Sequence, residues 1–228
     1  MNAYLKLFET KKLVLIMSLP LNRPELCRAA FAAGADAVKV HMNVVHHASG
    51  THFGSLREER PAFEEMLSSA PGPMGIVLGG SLPNAEKDAR EVLSLPFAFH
   101  SLYAHHVPAW FLFNGTPLQA ACDCTYAPWE IRRMRAALGA ELVEASIVPP
   151  DEYGQPLSMR DLIRYRTVAE ETDVPVVVPT QRAIRCEDVK NLMAAGVKGL
   201  MIGAVVTGRE ESTIVRAVES FRKAIDEA

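Results

Sequence analysis

Short apolar runs alternate along this chain with longer segments in which apolar positions recur every three or four residues. The runs at 13–19, 35–43, 74–80, 97–104, 118–125, 141–148, 174–178 and 197–202 are rich in β-branched and other apolar residues. That is the pattern of strands buried on both faces, as in a parallel sheet covered by helices. Helical spacing marks the segments between them. Pro24 opens a helix over 24–33, with Gly34 just past its end. Ser55 and Glu58 form a capping box, Asn84 is the expected cap of a helix to about residue 93, and Ser158 with Asp161 caps one to about residue 171. Further helices are expected over 128–138, 186–195 and 211–226, with a short one around Pro108, and loops over 44–54 and 149–157. Eight strands in alternation with about eight helices favour a closed parallel barrel, a single (β/α)8 domain over 1–228, rather than an open doubly wound sheet.

Three helix-to-strand joints repeat one another. Ala33-Gly34, Leu138-Gly139 and Ala195-Gly196 each end a helix, and the next strand begins after the same short spacer. Lys39, Glu144 and Met201 therefore stand at one equivalent position, and His41, Ser146 and Gly203 stand two residues further on. All three strands are even-numbered, and in such barrels alternate strands supply one interior layer. Lys39 and Glu144 are thus expected to share a layer, within reach of a salt bridge or a single bridging water.

Composition narrows the class. A hydrophobic fraction of 49% fits a globular protein with many buried strands, and a formal charge of −3 gives no electrostatic case for nucleic acid or an anionic membrane. The first residues lack a long apolar segment and no run reaches membrane-spanning length, so the expected location is cytoplasmic. Cys27, Cys122, Cys124 and Cys186 are too scattered for a disulfide framework. They read as buried structural thiols, with a redox or metal pair at Cys122 and Cys124 as the alternative. Asn114-Gly-Thr116 reads as a turn.

Within the second strand, Val38, Val40 and Met42 alternate with Lys39, His41 and Asn43. If the apolar set faces the helices, the polar set faces the barrel axis. A buried ammonium there is costly unless paired or wet. Lys39 either fills the lumen in a salt bridge or acts as general base, electrostatic stabiliser or Schiff-base amine. Glu144 and Ser146 face the axis by the same alternation, and Asp123 does so if Cys122 and Cys124 pack outward. His46, His47 and His52, with His105 and His106, either bind a metal or contact solvent and substrate; their spacing matches no standard zinc pattern, and no metal site is assigned. Gly79 and Gly80 permit either close backbone approach to a ligand or a tight turn. Arg182 reads as a phosphate clamp or as an exposed residue at a helix start. Tyr153, in the loop over 149–157, is a candidate cover for substrate.

The stretch over 174–208 reads strand, helix, strand, with Pro179-Thr180-Gln181-Arg182 after the first strand and Gly203-Ala204-Val205 after the second. It resembles the last two units of the ribulose-phosphate-binding (β/α)8 barrels, for example the N-acetylmannosamine-6-phosphate 2-epimerase family. Those enzymes usually carry a Gly-rich turn at the first place, and Gly followed by a small or hydroxyl residue at the second. The resemblance implies that backbone amides after these strands hold a substrate phosphate. The expectation is an enzyme of the sugar-phosphate isomerase, epimerase or lyase type. Lys39 and Glu144 would exchange protons, and Asp123 and His41 would orient substrate. Asn43, Ser146, Gly79 and Gly80 would contact it, and Thr180, Gln181, Arg182, Gly203 and Ala204 would bind phosphate. The expected partner is a small phosphorylated substrate, with no cofactor, nucleic acid or membrane; a homo-oligomer stays open. The alternatives are a metal-dependent hydrolase or lyase using the loop histidines, and a non-catalytic ligand-binding barrel.

Overall fold

The computed structural model describes residues 2–228, without the side chains of 135–137. In chain order the elements are α1 (Ala3–Thr10), β1 (Val14–Ser18), α2 (Pro24–Ala32), β2 (Ala37–His41), the hairpin β3 (Val44–His46) and β4 (Thr51–Phe53), α3 (Leu56–Ser69), β5 (Met74–Val77), α4 (Leu82–Val92), β6 (Phe99–Tyr103), β7 (Leu118–Cys122), α5 (Pro128–Leu138), β8 (Ala140–Ala145), α6 (Met159–Glu171), β9 (Val176–Pro179), α7 (Val189–Ala194), β10 (Gly199–Ile202), α8 (Ala204–Thr207) and α9 (Glu211–Asp226). Eight parallel strands close into a barrel in the order β1-β10-β9-β8-β7-β6-β5-β2. Apart from β3 and β4, each strand pairs with its predecessor and successor, and the helical crossovers lie outside. The chain is an α/β protein with the (β/α)8 barrel fold.

The joints that repeat in the sequence are helix stops. Gly34, Gly139 and Gly196 have φ of 107°, 68° and 88°, a region that L side chains rarely adopt. Outward-facing strand residues such as Val38, Val40, Val176 and Val178 join the helices in the main core. A smaller cluster fills the barrel floor: Tyr4, Val14, Ile16, Ala37, Phe99, Leu142, Val177 and Met201. Gly75 makes room for it, since a Cβ there would lie 2.3 Å from the Phe99 ring.

Four local expectations change. Residues before the first strand form α1, capped by Asn2, whose Oδ1 accepts from the Tyr4 amide at 2.8 Å. The cap aims Tyr4 into the floor, where it stacks on Phe99 at 3.7 Å between centroids. The loop over 44–54 is largely the antiparallel hairpin β3–β4. Ser81, not Asn84, caps α4: its hydroxyl accepts from the Asn84 amide, and the helix starts two residues before Asn84. The segment around Pro108 holds two 3-10 turns, Ala104–His106 and Ala109–Phe111, in place of a short α-helix.

On the outer face of β6, His100 packs 4.9 Å from Phe111, and its Nδ1 has no partner among the described residues. Burial pushes its pKa down to about 4. His46 is also lowered to about 4, first by burial and then by the Lys39 charge. Both folded values lie below the unfolded one, so the unfolded chain binds more protons. Stability is therefore fully present above about pH 6.5 and is lost as pH falls toward 4. At pH 5 the expected loss is about 2 kcal/mol for each of these histidines. His100→Phe removes its share, so urea melts at pH 7 and pH 5 should differ less in that variant than in the wild type.

Candidate active site

The C-terminal ends of the barrel strands surround a cavity of about 260 Å³. Two opposite charges stand at its base. Lys39 of β2 and Glu144 of β8 are each only 5% exposed, and Lys39 Nζ lies 3.2 Å from Glu144 Oε2 and 3.4 Å from Oε1. Alternation along each strand explains this: the neighbours Val38, Val40, Val143 and Ala145 face the helices. Three further donors reach the carboxylate. Ser101 Oγ donates to Oε2 at 2.9 Å, Gln119 Nε2 to Oε2 at 2.7 Å, and Ser146 Oγ to Oε1 at 3.0 Å. Burial alone would raise the Glu144 pKa. The Lys39 ammonium and the hydrogen bonds from Gln119, Ser101 and Ser146 outweigh it, so the carboxyl is held below its usual range.

The hairpin forms one wall. Thr51 Oγ1 donates to the Pro20 carbonyl at 2.7 Å, His47 Nε2 to the Pro150 carbonyl at 3.2 Å, and Arg209 Nη1 to the Ser49 carbonyl at 3.2 Å. His41 lies beneath, its ring 4.8 Å from Phe53 and 4.5 Å from His46, with Nε2 3.4 Å from Ser18 Oγ. Burial, then His46 and Lys39, push His41 well below the ordinary histidine range, so its imidazole is neutral. Across the mouth stands Tyr153, held by Gln181: Nε2 lies 2.5 Å from the Tyr153 hydroxyl and donates to the Ser146 carbonyl at 3.2 Å.

The cavity thus brings together Lys39, His41, Glu144, Ser146, Gly79, Gly80, Thr180, Gln181 and Gly203. Four other candidates lie elsewhere. Asn43 falls beyond the end of β2 in a left-handed conformation, φ 51°, and donates to Asp88 of α4 at 2.8 Å. Asp123 falls beyond the end of β7 and accepts from the amide and hydroxyl of Thr125, at 2.8 and 2.6 Å. Arg182 is neither a clamp at the mouth nor exposed. It is buried, paired with Asp161 at 2.9 Å and with Glu152. Ala204 begins α8, outside the cavity lining. The Gly79 approach is to α4, where a Cβ would meet the Ala85 amide nitrogen at 2.5 Å. The Gly203 amide donates to Thr180 Oγ1 at 2.9 Å, which leaves the Thr180 hydroxyl proton to point elsewhere.

The loop histidines do not converge. His46 pairs with Ser49 at 2.8 Å, His47 turns to Pro150, and His52 is exposed on β4. Among the described residues, no three of His, Cys, Asp and Glu come together as metal ligands. Cys122 is buried and Cys124 exposed, on opposite sides of the end of β7. Sequence reasoning missed Ser18, Ser101, Tyr103 and Gln119. Ser101 and Tyr103 share the inward parity of Phe99 and were within reach of the same alternation argument.

No protein-family model matches the sequence, and no curated protein matches it. Similarity appears at the level of structure. The chain is similar to thiamine phosphate pyrophosphorylase from Pyrococcus furiosus at 17% identity and a TM-score of 0.66, covering 95% of this chain and 97% of that one. A mutant tryptophan synthase alpha-subunit from the same organism aligns at 12% identity and a TM-score of 0.72, over 93% and 98%. A native KDPGal structure aligns at 17% and 0.69, over 96% and 97%. At these identities the likeness shows the barrel fold. No helix among the described residues is long and apolar enough to cross a membrane.

Proposed function

We propose that the protein is an enzyme acting on a small phosphorylated metabolite that carries a carbonyl group, by taking a proton from the carbon beside that carbonyl. One observation carries this: an ammonium and a carboxylate, both buried, at the base of the cavity at the catalytic end of a (β/α)8 barrel. Buried charges are expensive, and a purely structural filling of the lumen is made more simply with apolar residues.

The geometry suits an enolisation. Glu144, held as an anion, takes the proton, and the C–H electron pair moves onto the carbonyl oxygen. The Lys39 ammonium, freed from part of its pairing as Glu144 becomes neutral, faces the new oxyanion. If the oxyanion takes a proton from Lys39, the neighbouring hydroxyl loses one, and the carbon proton returns to the former carbonyl carbon, the product is an isomer; if the enolate collapses and its carbon takes a proton from solvent on the opposite face, it is an epimer. If Glu144 instead takes the proton of a hydroxyl on the carbon β to the carbonyl, the bond between the α and β carbons breaks, its electron pair forms the enolate, and the result is a lyase. Neutral His41, with Ser18 and Ser146, offers hydrogen bonds to hydroxyl groups without adding charge. The phosphate would sit by Thr180 and Gly203, where Thr180 and Ser18 line the cavity and their hydroxyls can donate to it.

The phosphate seat is tested with inorganic phosphate. At ten times its Kd it should add about 1.4 kcal/mol to stability. Gly203→Val should remove this effect while folding normally. Gly203 has φ −148°, open to any residue, and a Cβ there meets Ser18 only at 3.5 Å. Thermal shift that is the same in both proteins would move the phosphate away from this end of the barrel.

A further inference from the structure

The proton transfer drawn above makes no use of the barrel floor, yet a hydrogen-bond chain runs from the floor to Glu144. Tyr4 of α1 and Gln119 of β7 are both 0% exposed. The Tyr4 hydroxyl donates to Gln119 Oε1 at 2.5 Å, and Gln119 Nε2 donates to Glu144 Oε2 at 2.7 Å. The chain has only one consistent direction. An ionised carboxylate accepts and cannot donate, so the amide nitrogen of Gln119 must face it. The amide oxygen then faces Tyr4, whose hydroxyl must be the donor. Burial, and then the charge of Glu144, raise the Tyr4 pKa well above its usual value, which keeps that proton in place.

The two carboxylate oxygens are left unequal. Oε2 accepts from Gln119, from Ser101 at 2.9 Å and from Lys39 at 3.2 Å. Oε1 accepts from Ser146 at 3.0 Å and has Lys39 further off, at 3.4 Å. Ser146 lies one layer nearer the mouth. We propose that Tyr4 and Gln119 are positioning residues that anchor Oε2 of Glu144 toward the floor and so present Oε1 to the substrate as the proton-accepting oxygen. This rests on Glu144 being the base. The N-terminal helix is then part of the catalytic apparatus from the far end of the barrel, and not only a plug.

Tyr4→Phe keeps the ring on Phe99 and removes the donor. Gln119 loses its anchor, its amide is free to turn, and Glu144 loses a bond to its charged form. The Glu144 titration should move to higher pH, and the acid limb of kcat/KM should move with it. Turnover should fall roughly 10-fold with KM changed less than about twofold, because the defect is in aim and not in binding. Gln119→Leu should do the same, and the double change should add little, because Tyr4 acts only through Gln119. The other titratable groups near Glu144 are Lys39, His46, Tyr103, Tyr153 and Cys122, and none is altered by these substitutions.

The titration is read directly by carbon NMR on protein labelled at the glutamate carboxyl carbon. The Glu144 signal is assigned by its absence from the Lys39→Met/Glu144→Gln double variant. An upward shift in both Tyr4→Phe and Gln119→Leu supports the chain. A signal that moves in Gln119→Leu but not in Tyr4→Phe overturns the role of Tyr4, and a signal that moves in neither overturns both. Losses of turnover that add in the double change reduce Tyr4 to a plug and likewise overturn it. Tyr4→Met, which also lacks the donor, carries the NMR test if Tyr4→Phe does not fold, and Gln119→Met, which keeps the side-chain length, does so if Gln119→Leu does not. If the carboxyl shifts as expected but no carbonyl substrate is turned over, the anchoring of Oε2 stands, and the proposed reaction falls together with Oε1 as its base.

Discussion

Lys39→Met should cost roughly 3–5 kcal/mol of stability, because it keeps the stem of the side chain and leaves Glu144 buried with no cation. The hydrogen bonds from Ser101, Gln119 and Ser146 soften the loss but do not neutralise the charge. Pairing the change with Glu144→Gln removes both charges and should recover much of that loss. Functional sites often sacrifice stability, so the double variant has room to melt above the wild type. Urea melts of the wild type, the single and the double variant decide it. A single variant as stable as the wild type would mean that the pair is wet or loosely held.

Arg182→Met should be comparably costly, for a different reason. Its guanidinium ties the turn Pro150–Glu152 to α6 through Glu152 and Asp161, and Asp161 is buried. The Asp161 carboxyl is held below its usual range despite burial, chiefly by Ser158 and by Arg182. Removing the cation strands that carboxylate, at roughly 3–5 kcal/mol. Affinity for inorganic phosphate should stay within about twofold, since Arg182 does not line the cavity. A large loss of phosphate binding with stability intact would restore Arg182 as a clamp.

The barrel was readable from sequence because a strand covered on both faces leaves an unbroken apolar run, and because the glycines that stop the helices need positive φ. The Lys39–Glu144 contact followed from those same joints, which put both residues at one offset in even-numbered strands. Facing by alternation, however, holds only while the strand lasts. β2 ends at His41 and β7 at Cys122, so Asn43 and Asp123 fall into turns and point away from the axis. Arg182 was misplaced because its acidic partners lie far back in the chain, where spacing gives no clue to them. The β3–β4 hairpin has strands of only three residues each, too short for a period of two to stand out. The short α1 carries its meaning in one side chain, Tyr4, whose partners Phe99 and Gln119 are about a hundred residues away.

Proton abstraction at carbon can be observed without knowing the product. The protein is incubated in D₂O with a panel of three- to six-carbon aldose and ketose phosphates, and the proton signals beside each carbonyl are followed by NMR. Wild-type protein should exchange such a proton for deuterium on at least one member of the panel. The folded Lys39→Met/Glu144→Gln variant should leave the same signal at its uncatalysed rate. Exchange that persists in that variant, or its absence from the whole panel with wild-type protein, would contradict Lys39 and Glu144 as the proton-transfer pair.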